Sequence, residues 1–117
     1  MTVKDIVELL NGEILLGKDN LNTEVHTACG SDMMSDVLAF VKDQSVLLTG
    51  LCNPQVIRTA EMMDIVCIVF VRGKKPDSDS IALAKGRDLS IITTNYSLFE
   101  ACGRLYVSGL TGGARIE

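Results

Sequence analysis

From residue 46 onward the chain alternates short, unbroken apolar runs with segments of helical periodicity, and no other feature of the sequence limits the fold as much. The runs cover residues 46–49, 65–71 and 89–93, and predicted helices cover 54–63, 78–85 and 95–105. A strand that is apolar throughout is buried on both faces, which happens where helices cover both sides of a parallel sheet. The pattern therefore predicts a βαβαβα core. The helix at 54–63 turns Val56, Ile57, Ala60 and Met63 inward, and the one at 95–105 turns Leu98, Cys102 and Leu105 inward, with Tyr106 just beyond.

The first third of the chain adds to this core. Val3, Ile6, Val7 and Leu10 recur at helical spacing over residues 2–11, with Thr2 and Asp5 as a capping box and Gly12 as the stop. "EILLG" and "TEVHTAC" read as short strands separated by the polar loop "KDNLN", and the pattern leaves their relative direction open. Ser31 is placed as the N-cap of a helix over 32–41 whose apolar face is Met33, Met34, Val37, Leu38 and Val41. Together the elements give a single three-layer α/β domain, with a mostly parallel sheet of about five strands and helices on both faces. The domain is expected to span residues 1–107, and 108–117, "SGLTGGARIE", to be a loose C-terminal tail.

Charge and composition exclude several roles. Fifteen acidic against eleven basic residues give a net charge of −4, the wrong sign for a protein held on nucleic acid by phosphate neutralisation. The longest apolar run, at 65–71, is too short to cross a bilayer. The N-terminus lacks the basic, apolar and small-residue succession of a secretory signal, so the cytoplasm is the expected compartment. Cys29, Cys52, Cys67 and Cys102 are widely spaced without a C-x-x-C pair, as suits reduced thiols. The single histidine, His26, sits in an alternating stretch and reads as a structural or surface residue. No cofactor is implied.

Parallel strands end on a common edge, and the loops leaving those ends deliver the following helix N-termini to the same side. The turns at 29–32, 49–55, 71–77 and 93–97 should thus form one rim around a shared crevice suited to a small anionic metabolite or nucleotide. Gly30, Gly50 and Gly73 would let the backbone approach a ligand, and Thr49, Thr93 and Thr94 would offer hydroxyls. Ser31, Asp32, Asn53 and Asn95 supply further polar groups at the turns. Arg72 and Lys74, with Lys75 beside them in "VRGKKP", would neutralise phosphate or carboxylate. Ser31, Asn53, Asp77 and Thr94 also suit plain helix capping, and Arg58 a surface pair with Glu61 one turn on. No Walker or dinucleotide fingerprint narrows the ligand.

A non-catalytic regulatory domain is the leading functional reading, since one histidine in a strand supports no catalytic triad. Its first alternative is a small enzyme or phosphotransfer accessory acting on a phosphorylated or acyl substrate through Cys52, just ahead of a helix, or Asp32. The second is a thiol metal site built from Cys29 and Cys52. The pairs Met33-Met34 and Met62-Met63 cannot both face inward on one helix, so apolar surface should remain for a homodimer to cover.

Three segments, "ACGSDMMSDVLAF", "LLTGLCNPQVIRTAEMMDIVCIVFVRGKKP" and "TTNYSLFEACGRLY", resemble the DRTGG domain in its stand-alone form, over roughly residues 26–107. That resemblance implies an α/β regulatory or dimerising module with no established chemistry of its own, similar in fold to the N-terminal domain of HPr kinase/phosphorylase. Such domains occur attached to phosphotransacetylases and beside CBS domains in regulatory pyrophosphatases, which implies a partner enzyme or signalling protein. The Asp-Arg and Thr-Gly-Gly for which the family is named fall at turns that here read "GLCN" and "VRGK". The "TGG" at 111–113 lies beyond the last helix.

Overall fold

The apolar runs become interior strands in the computed structural model, which describes residues 1–40 and 44–113. In chain order the elements are α1 (Val3–Leu9), β1 (Glu13–Leu16), a 3-10 turn (Lys18–Asn20), β2 (Thr27–Gly30), α2 (Met34–Phe40), β3 (Ser45–Thr49), α3 (Pro54–Met62), β4 (Ile65–Phe70), α4 (Ser78–Ala84), β5 (Ser90–Thr93) and α5 (Leu98–Val107). The sheet runs β1-β5-β4-β3-β2, with β2 to β5 parallel. β1 pairs antiparallel with β5, setting Glu13 opposite Thr93 and Ile14 opposite Ile92. The two N-terminal strands, whose relation the pattern left open, are therefore opposite edges of one sheet and form no hairpin. The second is also shorter than its alternation suggested, because Thr2 bridges Glu24 outside β2.

Alternation along the strands divides the core in two. Leu47, Ile68, Phe70 and Ile91 face Met34, Val37, Val56, Ile57, Ala60 and Ala84 of α2, α3 and α4. Val46, Leu48, Cys67, Val69 and Ile92 face Val3, Ile6, Ala101 and Leu105 of α1 and α5. The expected three-layer α/β architecture is thus present. Parallel neighbours in sequential order, joined by crossovers of one hand, place all three crossover helices on one face.

Several caps are as read. Thr2 and Asp5 form the reciprocal capping box of α1, Asn53 accepts the Gln55 N–H at the start of α3, and Asp77 accepts the Ser80 N–H at the start of α4. Others differ. The Ser31 hydroxyl accepts the Met33 N–H in a turn, and α2 begins only at Met34. Met33 and Leu38 are exposed, so Met34 and Val37 carry its packing; Val41 lies outside the described residues. The last helix starts at Leu98 rather than 95, because Ser97 is its cap and accepts the Glu100 N–H. Thr94 is not the helix cap: its buried hydroxyl donates to the Leu10 carbonyl at 2.6 Å and accepts the Tyr96 N–H at 3.3 Å within the β5–α5 loop. Tyr106 is exposed and Met63 is half-buried. Glu61 pairs with Arg87 of the α4–β5 loop instead of Arg58.

Two places required glycine or departed from a free chain. Gly17, at φ 85, turns the chain after β1, and a Cβ there would stand 2.8 Å from the Leu89 carbonyl and from Ser90. Leu110, in the expected loose tail, is only 5% exposed and belongs to the α1/α5 core. The next residue pairs with the free edge of β2, where the Ala28 N–H donates to the Thr111 carbonyl at 2.9 Å. An edge strand presents unpaired backbone groups, and this segment satisfies one of them while covering the core beneath. We expect Leu110→Ala to lower unfolding free energy in urea by about 2–4 kcal/mol. Met62→Ala, at a side chain 73% exposed, should change it by less than about 0.5 kcal/mol.

Candidate functional site

The carboxyl ends of β2 to β5 do share one edge, and every residue proposed from the sequence lies on it or at the helix starts behind it. They fall into three groups. The first is built on Asp32, whose carboxylate accepts the Gly50 N–H at 2.7 Å and the Thr49 hydroxyl at 2.9 Å. Thr49 in turn accepts the Leu51 N–H. The Asp32 carboxylate and the Lys74 ammonium lie 3.6 to 3.7 Å from where a Cβ on Gly50 would stand, so both flank the start of the β3–α3 turn. The Gly50 N–H holds the Asp32 carboxyl below the usual carboxylate range, helped against partial burial by the Thr49 hydroxyl, Lys74 and Arg72. An acidic side chain of the protein itself therefore sits where the β3–α3 turn would meet an anion.

The second group is the junction of the β4–α4 and β5–α5 loops. Arg72 and Gly73 both adopt left-handed backbone, at φ 59 and 69. Their N–H groups donate to the carbonyls of Tyr96 and Thr94 at 2.8 and 2.7 Å. A Cβ on Gly73 would meet the Asn95 side chain at 2.9 Å. Thr93 donates to the Lys74 carbonyl at 2.7 Å, so this hydroxyl, like that of Thr94, points its proton at backbone rather than at a ligand. Beside the junction is a polar hollow of about 320 Å³ lined by Asn11, Glu13, Gly73, Lys75, Thr93, Thr94 and Asn95.

The third group opens under α5. Gly30, at the end of β2, lets α5 come close, since a Cβ there would stand 2.6 Å from the Cys102 sulfur. Gly30, Arg72, Leu98, Cys102 and Tyr106 are among the residues around a mostly apolar groove of about 780 Å³. Asn53 belongs to none of the three groups; it caps α3 through the Gln55 N–H at 3.0 Å. Ser31 is fixed by its own turn and by its N–H on the Leu48 carbonyl.

The three cations of "VRGKKP" are therefore separated. Arg72 lines the apolar groove, Lys74 stands by Asp32, and Lys75 pairs with Glu13 at 3.9 Å. A single rim with unengaged helix ends does not form, because Asn53, Asp77 and Ser97 cap α3, α4 and α5. The sequence reading missed Asn11, Glu13 and Tyr96. Asn11 donates to the Tyr96 hydroxyl at 3.1 Å, and the Arg104 guanidinium lies over the Tyr96 ring, 4.1 Å from its centre. No local signal marks the first two; only the antiparallel docking of β1 on β5 brings them to this edge.

The thiols are not activated. Burial raises the Cys52 thiol, with Lys74 opposing and Asp77 and Asp32 reinforcing. Burial likewise raises Cys29, Cys67 and Cys102. Cys29 packs on the α2–α4 side of the sheet with Cys52, yet among the described residues no group of three potential ligands could hold a metal ion. Among the same residues no helix is long and apolar enough to cross a membrane.

Comparisons with known proteins give this geometry a setting. No protein of curated description matches the chain. Among solved structures, the chain is similar to the CBS and DRTGG domains of the regulatory region of Clostridium perfringens pyrophosphatase, determined in complex with an activator, diadenosine tetraphosphate. The TM-score is 0.71 at 15% sequence identity, over 89% of this chain and 45% of that one. The chain thus spans less than half the length of that regulatory region, and the likeness establishes the fold. The family is established by sequence: the DRTGG domain pattern matches residues 5–107, and the chain belongs to the DRTGG domain family.

Proposed function

We propose that this domain is a non-catalytic regulatory module that takes a small anionic ligand of the nucleotide class at the carboxyl edge of its sheet, pairs with a second copy, and acts on a partner enzyme or signalling protein in a reducing, cytoplasmic setting. The observation that carries this reading is the placement of Arg72. Its backbone is held in the left-handed region by the Tyr96 carbonyl, a conformation costly for a residue with a side chain. That conformation places Arg72 on the lining of the 780 Å³ groove, while Lys74 stands by Asp32 at the neighbouring β3–α3 turn. A concave, mainly apolar site with one or two fixed charges suits a ligand that joins a flat ring system to phosphate.

The regulatory region of the pyrophosphatase that shares this fold was determined with a diadenosine tetraphosphate activator, which supports the same ligand class here. The enzymatic alternative through Cys52 is disfavoured by burial of that thiol, which holds it protonated. Asp32, outside the groove, is the acidic group at the neighbouring β3–α3 turn. It repels an incoming phosphate while holding the Gly50 N–H and attracting Lys74.

Two outcomes test the reading. Diadenosine polyphosphates and nucleoside triphosphates at millimolar concentration should raise the melting temperature by mass action, and Arg72→Ala with Lys74→Ala should weaken that binding at least about tenfold while leaving the fold intact. Silence across the nucleotides with the unaltered protein would leave only protein partners. Asp32→Asn keeps an acceptor for the Gly50 N–H but removes the charge, and should tighten nucleotide binding about three- to tenfold. The same substitution has a pH signature. Because the folded-state pKa of Asp32 lies below its unfolded value, its contribution to stability is complete above the ordinary value of 3.8 and is lost as pH falls through the depressed one. The difference in urea stability between wild type and Asp32→Asn should therefore be present near neutrality and shrink as the pH is taken below about 4.

A further inference from the structure

The outer face of α5 carries three of the large apolar side chains that the described residues leave exposed. Phe99, Tyr106 and Val107 are 84%, 69% and 86% exposed. Between them lies Gly103, in the middle of a helix, where glycine is less favourable than alanine. Its backbone is not left-handed, and a Cβ there would have no atom within 4 Å. Nothing inside the domain calls for glycine at this position, whereas a helix of another molecule crossing over it would. The helix stands as a ridge between two grooves. Phe99, Gly103 and Val107 line both, Glu100 and Arg104 only the first, and Leu98, Cys102 and Tyr106 only the second, which is the groove that Arg72 also lines.

We infer that the second copy, whose pairing is part of the function proposed above, docks on this face, with the two α5 helices crossing antiparallel at Gly103. The argument is the self-complementarity of the surface. At 100° per residue, Phe99 and Tyr106 lie to one side of Gly103, and Val107, Glu100 and Arg104 to the other. A two-fold axis across the pair keeps each flank against its own kind and reverses the order along the helix. Glu100 stands about 4.5 Å before Gly103 and Arg104 about 1.5 Å after it. In the antiparallel pair each Glu100 therefore comes within about 3 Å, along the axis, of Arg104 of the second copy.

On the other flank, Phe99 of each copy meets Tyr106 of the other by the same arithmetic, and Gly103 meets Gly103. A parallel pair, related by a two-fold along the helices, would instead set the Glu100 and Arg104 flank of each copy against the Phe99 and Tyr106 flank of the other, charge against aromatic ring. Stacking on Tyr96 already restricts Arg104, so less side-chain freedom is lost when the ion pair forms. A contact centred on one helix is at the small end of interfaces, below about 1,200 Å², the size class of weak and transient pairs.

The test is sedimentation equilibrium of the purified chain from about 1 to 500 µM, a range that takes in weak pairs. Wild type should pass from monomer to dimer within it. Glu100→Arg alone should weaken the dimer at least about tenfold by setting like charges together, and Glu100→Arg with Arg104→Glu should recover most of the loss by restoring opposite ones. Gly103→Ala should raise the melting temperature at monomeric concentrations yet weaken pairing. Circular dichroism melts at low concentration separate misfolding from loss of the contact. If wild type dimerises while all three variants pair as tightly, or the charge exchange fails to rescue, the contact lies elsewhere and self-association itself stands. A wild-type chain that stays monomeric throughout overturns both.

Discussion

The rest of the structure depends on β4 being buried from both sides. Its side chains alternate between two cores, with Ile68 and Phe70 in one and Cys67 and Val69 in the other, and no polar group interrupts them. A strand of this kind must have helices above and below it, and neighbours on each edge to satisfy its backbone. Ser45–Thr49 and Ser90–Thr93 supply those neighbours in parallel. Once β3, β4 and β5 stand in sequential order, their connecting helices are confined to one face. Only α5, which leaves the last parallel strand without returning to another, is released to the opposite face, together with α1.

That arrangement explains why the carboxyl edge is divided rather than continuous. In sheets whose strand order reverses, loops part in opposite directions and leave a crevice at the reversal. Here the order of the parallel strands never reverses, and the parting occurs instead where the β4–α4 loop runs to one face and the β5–α5 loop to the other. The two loops cross at Arg72, Gly73 and Thr94 and bond to each other before separating. The cations on the first loop are consequently aimed at different surroundings, and Arg72 alone reaches the groove beneath α5.

The βαβαβα core was legible because its signals are local or periodic: continuous apolar runs, helical spacing, and capping residues such as Asn53 and Asp77. Parallel direction followed from the chemistry of two-sided burial. What escaped was set by partners distant in sequence. Nothing in "EILLG" states that it will pair antiparallel with a strand some eighty residues later. Thr94 resembled a helix cap because a threonine ahead of a helix usually is one, yet the Leu10 carbonyl, brought in by α1, captured its hydroxyl and Ser97 took its place. Leu110 followed a glycine in a stretch without periodicity, and its burial depends on a gap between α1, α5 and the β2 edge that only the folded sheet creates. Of the candidate site, the edge itself was legible from topology, and the separation of its residues was not, because each side chain's direction is fixed by hydrogen bonds across loops.

The N-terminal segment closes the molecule on its far end. β1 pairs with β5, α1 packs on α5, the Leu10 carbonyl holds Thr94, and Asn11 holds Tyr96. These contacts span most of the chain, so they recover the cost of ordering a long loop only when the parallel core has already formed. The first sixteen residues are thus held by contacts distant in sequence, with Val3, Ile6 and Leu10 wholly buried in the core beneath β3 and β4. Loss of these contacts would release Thr94 and Tyr96, and with them the carbonyls that hold the Arg72 and Gly73 amides. The shape of the carboxyl edge is therefore a property of a closed chain, and that closure holds Arg72 in its strained conformation.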